Sequence, residues 1–169
     1  MTQPSLAGIP FIGFSVRDAQ RSTDWYRDLL GLELVRERRK DGKLVATILR
    51  HPASGIEIGI QQHAGNDAST FSEFRTGLDH VEFAVTSRDE LERWLARLDR
   101  LGVTHSGIAE RPHGALITFR DPDNIQLEFY WREADASGEM SSQPSPDSMM
   151  RTPSSSRSSS RTWTPPIRS

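Results

Sequence analysis

Residues 77–85 read GLDHVEFAV, and residues 119–129 read FRDPDNIQLEF. Both stretches alternate between apolar and polar side chains, which is the pattern of a β-strand with one face in a core. The alternation puts His80 and Glu82 on the polar face of the first stretch and Glu128 on the polar face of the second. The core-facing positions are Val81, Phe83 and Val85 in the first stretch and Ile125, Leu127, Phe129 and Trp131 in the second. Each strand is therefore predicted to pack on one side and to carry ionisable groups on the other.

The first half of the chain matches this second half at a fixed distance. Equivalent positions lie 69 residues apart, and the shared pattern predicts an internal duplication. The matches are residues 14–16 (FSV) with 83–85 (FAV), Trp25 with Trp94, and Ile56 with Ile125.

Each half predicts the element order βαβββ. The first helix follows the capping residue Asp18 and ends at Gly31. The second begins at residues 87–90, SRDE, which match a capping box, and ends at Gly102. Strands are predicted at residues 9–16, 33–39, 43–50 and 56–62, and again at 78–85, 104–109, 115–120 and 125–131.

These elements predict one α+β domain over residues 8–131, with unit one at 8–63, a linker at 64–77 and unit two at 78–131. Residues 1–7 are interpreted as an N-terminal extension. Residues 132–169 contain 12 serines and 5 prolines, a composition too poor in apolar side chains to offset the entropy of folding. A disordered tail rich in Ser, Pro and Arg is predicted there.

Composition excludes several functional classes. The chain has no cysteine, so disulfides, thiolate metal sites and a cysteine nucleophile are excluded. A net charge of −2 argues against a nucleic-acid or membrane surface. No apolar run approaches the roughly 18 residues of a membrane span, and residues 1–6, MTQPSL, lack the features of a secretory signal. A cytoplasmic protein is expected.

Three motifs carry a resemblance to a known family. Residues 14–18 (FSVRD) with 25–32 (WYRDLLGL) resemble the opening strand and helix of the vicinal-oxygen-chelate superfamily, which includes glyoxalases, bleomycin resistance proteins and extradiol dioxygenases. Residues 77–85 resemble its second opening strand, and residues 119–129 its closing strand. The resemblance implies that each βαβββ unit forms a curved mixed sheet, that paired units make a cup, and that metal ligands lie on the inner faces of first and last strands. It does not fix the reaction, because one fold hosts many chemistries.

By this resemblance His80 and Glu128 occupy metal-ligand positions, and both have the required strand parity. The 69-residue offset places Phe11 and Gly59 at the equivalent positions of unit one, and neither can bind a metal. A catalytic site of this kind needs about three protein ligands, so a divalent ion (Zn, Ni, Mn or Fe) requires a substitute donor. The substitutes considered are Glu82, Gln61 and His63.

Two functions remain open. The first is a metal-dependent isomerase, lyase or dioxygenase acting on a small oxygenated metabolite, with Glu82 and Glu128 as catalytic carboxylates. The second is a metal-free protein that binds a small molecule or antibiotic, which an aromatic residue at a ligand position favours. The enzyme is preferred because His80 and Glu128 share one face. Substrate-binding residues are predicted at Phe11, Gln61, His63, His113 and Tyr130.

A homodimer is also predicted. Each unit exposes strand edges that need a partner, and the family resemblance implies paired units across an interface. The sequence leaves open whether the two units pair within one chain or between chains.

Overall fold

The computed structural model describes residue 4 and residues 8–133. Within that range the chain runs βαβββ twice, as predicted. Unit one consists of β1 (Phe11–Ser15), α1 (Ala19–Leu30), β2 (Glu33–Lys40), β3 (Lys43–Arg50) and β4 (Glu57–Gln61). Unit two consists of β5 (His80–Val85), α2 (Arg88–Arg100), β6 (Ala109–Arg111), β7 (Gly114–Arg120) and β8 (Gln126–Arg132).

Each unit forms one four-stranded mixed sheet, with strand orders β1-β4-β3-β2 and β5-β8-β7-β6. The first and last strands of each unit are parallel neighbours, and the other pairs are antiparallel. Gly13 lies opposite Gly59 in the first sheet, and Glu82 lies opposite Glu128 in the second. Strand register therefore preserves the 69-residue repeat of the sequence.

Local residue chemistry sets the element ends. The Asp18 carboxylate accepts the Arg21 amide proton at 3.0 Å, and the Ser87 hydroxyl accepts that of Glu90 at 3.1 Å. Gly31 ends α1 with a φ of 68°, a left-handed conformation that costs glycine little. The two-residue turn between β2 and β3 has positive φ at both positions, which suits a tight hairpin.

The two units share one core through their helix-facing sides. Trp94 of α2 stacks on Phe129 with ring centroids 4.3 Å apart, and Phe119 lies 4.8 Å from the same ring. Trp25 of α1, in unit one, lies 6.4 Å from Phe119 of unit two. The opposite face of each sheet, here called its cup face, therefore points away from the shared core.

Polar contacts also join the units. The Arg97 guanidinium of α2 donates to the Leu29 carbonyl at 2.6 Å, next to the end of α1. The buried Tyr26 hydroxyl donates to the Asp121 carboxylate at 3.0 Å, and Arg17 pairs with Asp123 at 2.5 Å. The turn at residues 121–124 (DPDN), which precedes β8, thus binds unit one through these two contacts.

The sequence prediction was wrong for the strand at residues 104–109. The observed strand is β6, and His105 makes only an isolated bridge to Phe119. The Gly107 amide donates to the His105 ring at 3.0 Å, and Gly107 has a φ of 72°, so the backbone turns where a strand would continue.

The ordered elements end close to the predicted domain boundary. Strand β8 continues to Arg132, one residue past the predicted boundary. The predicted extension at 1–7 and tail at 132–169 lie outside the described residues, except for residues 4, 132 and 133. Neither described helix has the length and apolarity that a membrane crossing requires.

Candidate metal centre

Three ionisable side chains meet on the cup face of the second sheet. The ligand atoms of His80, Glu82 and Glu128 all lie within 4.8 Å of one another. Glu82 and Glu128 are directly opposed on the parallel neighbours β5 and β8, and His80 precedes Glu82 by two positions on the same face. Strand pairing alone therefore creates the cluster, as the parity of the sequence predicted.

A neighbouring carboxylate orients the histidine. Asp79 Oδ1 lies 2.5 Å from His80 Nδ1, which leaves Nε2 as the ring nitrogen available to a ligand. Burial acts to lower the pKa of His80, but the bond to Asp79 and the nearby Glu128 and Glu82 charges raise it overall. Strand alternation does not single out Asp79, although its place directly before His80 is a usable signal.

Two hydrogen bonds fix the almost buried Glu128. The Thr118 hydroxyl donates to Glu128 Oε1 at 3.1 Å, and the Gln126 side-chain amide donates to the same oxygen at 3.0 Å. Both hydrogen bonds go to the same oxygen, Oε1, so neither of them occupies the second carboxylate oxygen. Thr118 was also missed, although it is the β7 residue opposite Glu128.

Glu82 is the more exposed carboxylate of the cluster. Partial burial raises its pKa, the adjacent Glu128 charge raises it further, and the His80 and Arg132 charges oppose the shift without cancelling it. Two carboxylates side by side repel each other unless a proton or a cation lies between them. The arrangement favours an added positive charge at this point.

The donor set suits a divalent transition metal. One imidazole nitrogen and two carboxylate oxygens are the ligand types that Zn, Ni, Mn and Fe accept. Three protein ligands also leave coordination positions open for water or a substrate. Of the three substitute donors considered from the sequence, Glu82 is the one that lies beside His80 and Glu128.

The first sheet holds an aromatic side chain at the equivalent place. Phe11, Gly13 and Gly59 correspond by register to His80, Glu82 and Glu128. The tip of the Phe11 ring occupies the position that a Cβ at Gly59 would need, and the ring lies 3.4 Å from the corresponding position at Gly13. The duplicated ligand positions of unit one therefore form an apolar floor.

The remaining predicted site residues divide between the two sheets. Gln61 and His63 line a cavity of about 590 Å³ on the first sheet together with Phe11. Gln61 is thus on the cup face of the other sheet, and within one chain it does not complete the proposed metal coordination around His80.

Tyr130 shares the cup face of Glu128, and its ring centroid lies 5.2 Å from the Arg132 guanidinium carbon. His113 is exposed in the turn between β6 and β7, away from the cluster along the sheet.

Comparison with known proteins places this fold in a family. Residues 8–129 match the model of the Glyoxalase/Bleomycin resistance protein/Dioxygenase superfamily. The chain belongs to this superfamily. The assignment confirms the resemblance inferred from the sequence motifs, and the two βαβββ sheets confirm the predicted fold.

Individual superfamily members are similar over the same region. A glyoxylase/bleomycin resistance protein/dioxygenase domain from Frankia sp. EAN1pec is 32% identical, with a TM-score of 0.69, covering 76% of this chain and 100% of that one. The putative ring-cleaving dioxygenase MhqA of Bacillus subtilis (strain 168) is 27% identical over 124 residues, 73% of this chain but only 39% of the relative. This chain thus spans about two fifths of the length of that curated relative.

A more distant structure is that of the fosfomycin resistance protein FosX from Listeria monocytogenes, solved as a variant with Mn(II) and 1S,2S-dihydroxypropylphosphonic acid. It is 21% identical, with a TM-score of 0.54, and the match covers 75% of this chain and 90% of FosX. At this identity the likeness shows a common fold.

Proposed function

We propose that this chain is a divalent-metal-dependent enzyme that acts on a small oxygenated metabolite. The observation that carries the proposal is the convergence of His80, Glu82 and Glu128 on one cup face, with donor atoms within 4.8 Å. Hydrogen bonds from outside the cluster orient two of the three side chains, which is typical of metal sites. The Mn(II)-bound FosX variant shows that this fold accommodates such an ion.

The three residues have distinct parts in this proposal. An ion held there supplies Lewis acidity toward neighbouring oxygens of the substrate. His80 presents Nε2 because Asp79 engages the other ring nitrogen, and Glu128 is held by Thr118 and Gln126. Glu82 has no hydrogen bond that fixes it among the described residues, and its raised pKa suits a carboxylate that also accepts a proton from the substrate.

Isomerase, lyase and dioxygenase reactions are all compatible with this set of residues. The similarity to the putative ring-cleaving dioxygenase MhqA makes aromatic diols the first substrates to test. The experiment is turnover of catechols and hydroquinones by the full chain loaded with Fe(II) or Mn(II), beside the Glu82→Gln variant. Turnover by the wild type that the variant lacks would support the proposal. A lack of turnover with every diol would remove the dioxygenase class.

We also propose that a second copy of the chain covers the cup faces. Both faces point away from the core that the two units share, so the chain does not close one cup face over the other. Pairing between chains would shield the cluster from bulk water. In this arrangement Phe11, Gln61, His63 and Tyr130 are proposed as substrate-contacting residues, and His113 is retained as a proposal for the rim.

A metal-free binding protein is the second candidate. The observation that favours it is the Phe11 ring over Gly59, which fills one set of duplicated ligand positions with an apolar group. The two candidates differ in their metal content. A chain purified without added metal that contains none, and takes up none at micromolar free ion, would be a binding protein.

A further inference from the structure

The cavity on the first sheet has an aromatic floor and a basic rim. Its floor is the Phe11 ring, which lies over Gly59 and is 44% exposed. The cavity is about 590 Å³ in volume, a size that admits a small organic molecule. Ser15, Gln61 and His63 add polar groups to its wall.

The rim is supplied by two arginines of the edge strand β2. Arg36 lies opposite Ile48, and Arg38 lies opposite Ala46, so both belong to the rows that cross the cavity floor. Both line the cavity. They lie two strands away from β4, a separation of about 10 Å that a guanidinium can partly bridge.

Neither Arg36 nor Arg38 has a hydrogen-bond or ion-pair partner among residues 8–133. The acids nearby are already engaged. Glu37, which also lines the cavity, pairs with Arg39 at 2.8 Å, and Glu57 pairs with Arg50. Within the part of the chain that the structure describes, Arg36 and Arg38 are therefore two positive charges at the cavity rim that form no ion pair, because the Glu37 carboxylate beside them is paired with Arg39.

We propose that this cavity binds a small aromatic carboxylate. The planar guanidinium groups of Arg36 and Arg38 match a carboxylate by paired, charge-assisted hydrogen bonds. The exposed face of Phe11 accepts a second ring by offset stacking. An uncharged aromatic molecule of the same size would gain only the ring contact. The inference deepens the proposed function, because Phe11, Gln61 and His63 are also its proposed substrate contacts.

The test uses benzoate as the probe and benzyl alcohol as its uncharged counterpart. Both are titrated into the full chain treated with EDTA, and binding is followed by ¹H–¹⁵N NMR. Removing metal prevents benzoate from binding through an ion at His80 and Glu128, so the outcome does not depend on the metal proposal. Benzoate should shift amides of β1, β2 and β4 and bind roughly tenfold or more tightly than benzyl alcohol.

The Arg36→Gln/Arg38→Gln variant should lose roughly tenfold or more of the benzoate affinity. The matched control is Lys40→Gln/Lys43→Gln, which removes two positive charges from the β2–β3 hairpin outside the cavity lining and leaves the Arg39–Glu37 pair intact. The control should bind benzoate as the wild type does. Equal loss in both variants, equal affinity for the two probes, or no benzoate binding would each overturn the proposal.

Discussion

The ring of Phe11 lies over Gly59 at the place in the first sheet where the repeat puts the counterparts of His80 and Glu128. The Phe11 side chain therefore covers the positions in the first sheet, Gly13 and Gly59, that correspond to Glu82 and Glu128. The two halves of the chain have kept a common backbone and register while their cup faces differ in chemistry. One face gathers ionisable groups, and the other gathers an aromatic ring beside Arg36 and Arg38.

The contact between these two residues predicts a coupled effect on stability. Gly59→Ala puts a methyl group where the Phe11 ring lies, which should lower the free energy of unfolding by about 1 kcal/mol. In the Phe11→Ala background the same change should be neutral or stabilising, since alanine suits a strand interior better than glycine. Urea unfolding of the four proteins measures the coupling. Equal effects of Gly59→Ala in both backgrounds would mean that the ring does not lie over Gly59.

The buried carboxyl of Asp121 predicts a dependence of stability on pH. Burial raises the pKa of Asp121 to about 6, although hydrogen bonds from the Ile125 amide, the Tyr26 hydroxyl and the Asp123 amide oppose the shift. The unfolded chain should ionise near its ordinary value of 3.8. Because the folded pKa is the higher one, ionisation of Asp121 reduces stability as pH rises from about 4 to about 6.

Asp121→Asn removes that ionisation while keeping a side-chain oxygen for the two backbone amides. The stability of the wild type relative to this variant should fall between pH 4 and pH 7 by on the order of 2–3 kcal/mol. Chemical unfolding across that range measures the difference. A difference that is flat with pH, or that rises, would show that folding does not raise the pKa of Asp121.

Strand alternation and the 69-residue repeat predicted the fold and the shared face of the His80, Glu82 and Glu128 side chains. These two patterns were sufficient because His80, Glu82 and Glu128 lie on strands that pair directly. Side-chain parity and strand register then determine which side chains are neighbours. The partners Asp79 and Thr118 depend on rotamers and on a third strand, which parity does not specify.

Other features depend on tertiary packing or irregular backbone. Alternation along β2 did not reveal Arg36 and Arg38 as cavity residues, because that strand is exposed throughout and has register shifts on both sides of them. The direction of the two cup faces follows from packing between α1 and unit two, through Trp25 and Tyr26. No local pattern encodes that packing.

The outward cup faces predict a homodimer. Sedimentation at micromolar concentration should give twice the chain mass of 19.0 kDa. If the first sheet of the partner faces the cluster, Phe11→His should also tighten binding of a borderline ion such as zinc or nickel, because it adds an imidazole. A single species at the monomer mass would exclude the dimer. A dimer without tighter metal binding in Phe11→His would show that the first sheet faces elsewhere.

The central claim is that His80, Glu82 and Glu128 together hold one divalent ion. Isothermal titration of the EDTA-treated chain with Mn(II) or Zn(II) tests it most directly, on wild type, His80→Ala, Glu82→Gln and Glu128→Gln. The matched control is His51→Ala, which removes a histidine from the turn between β3 and β4. Stoichiometric binding should be kept in the control and lost in each cluster variant, with non-additive effects when variants are combined. Unchanged affinity in His80→Ala and Glu128→Gln would contradict the metal centre and leave the metal-free binding protein as the function.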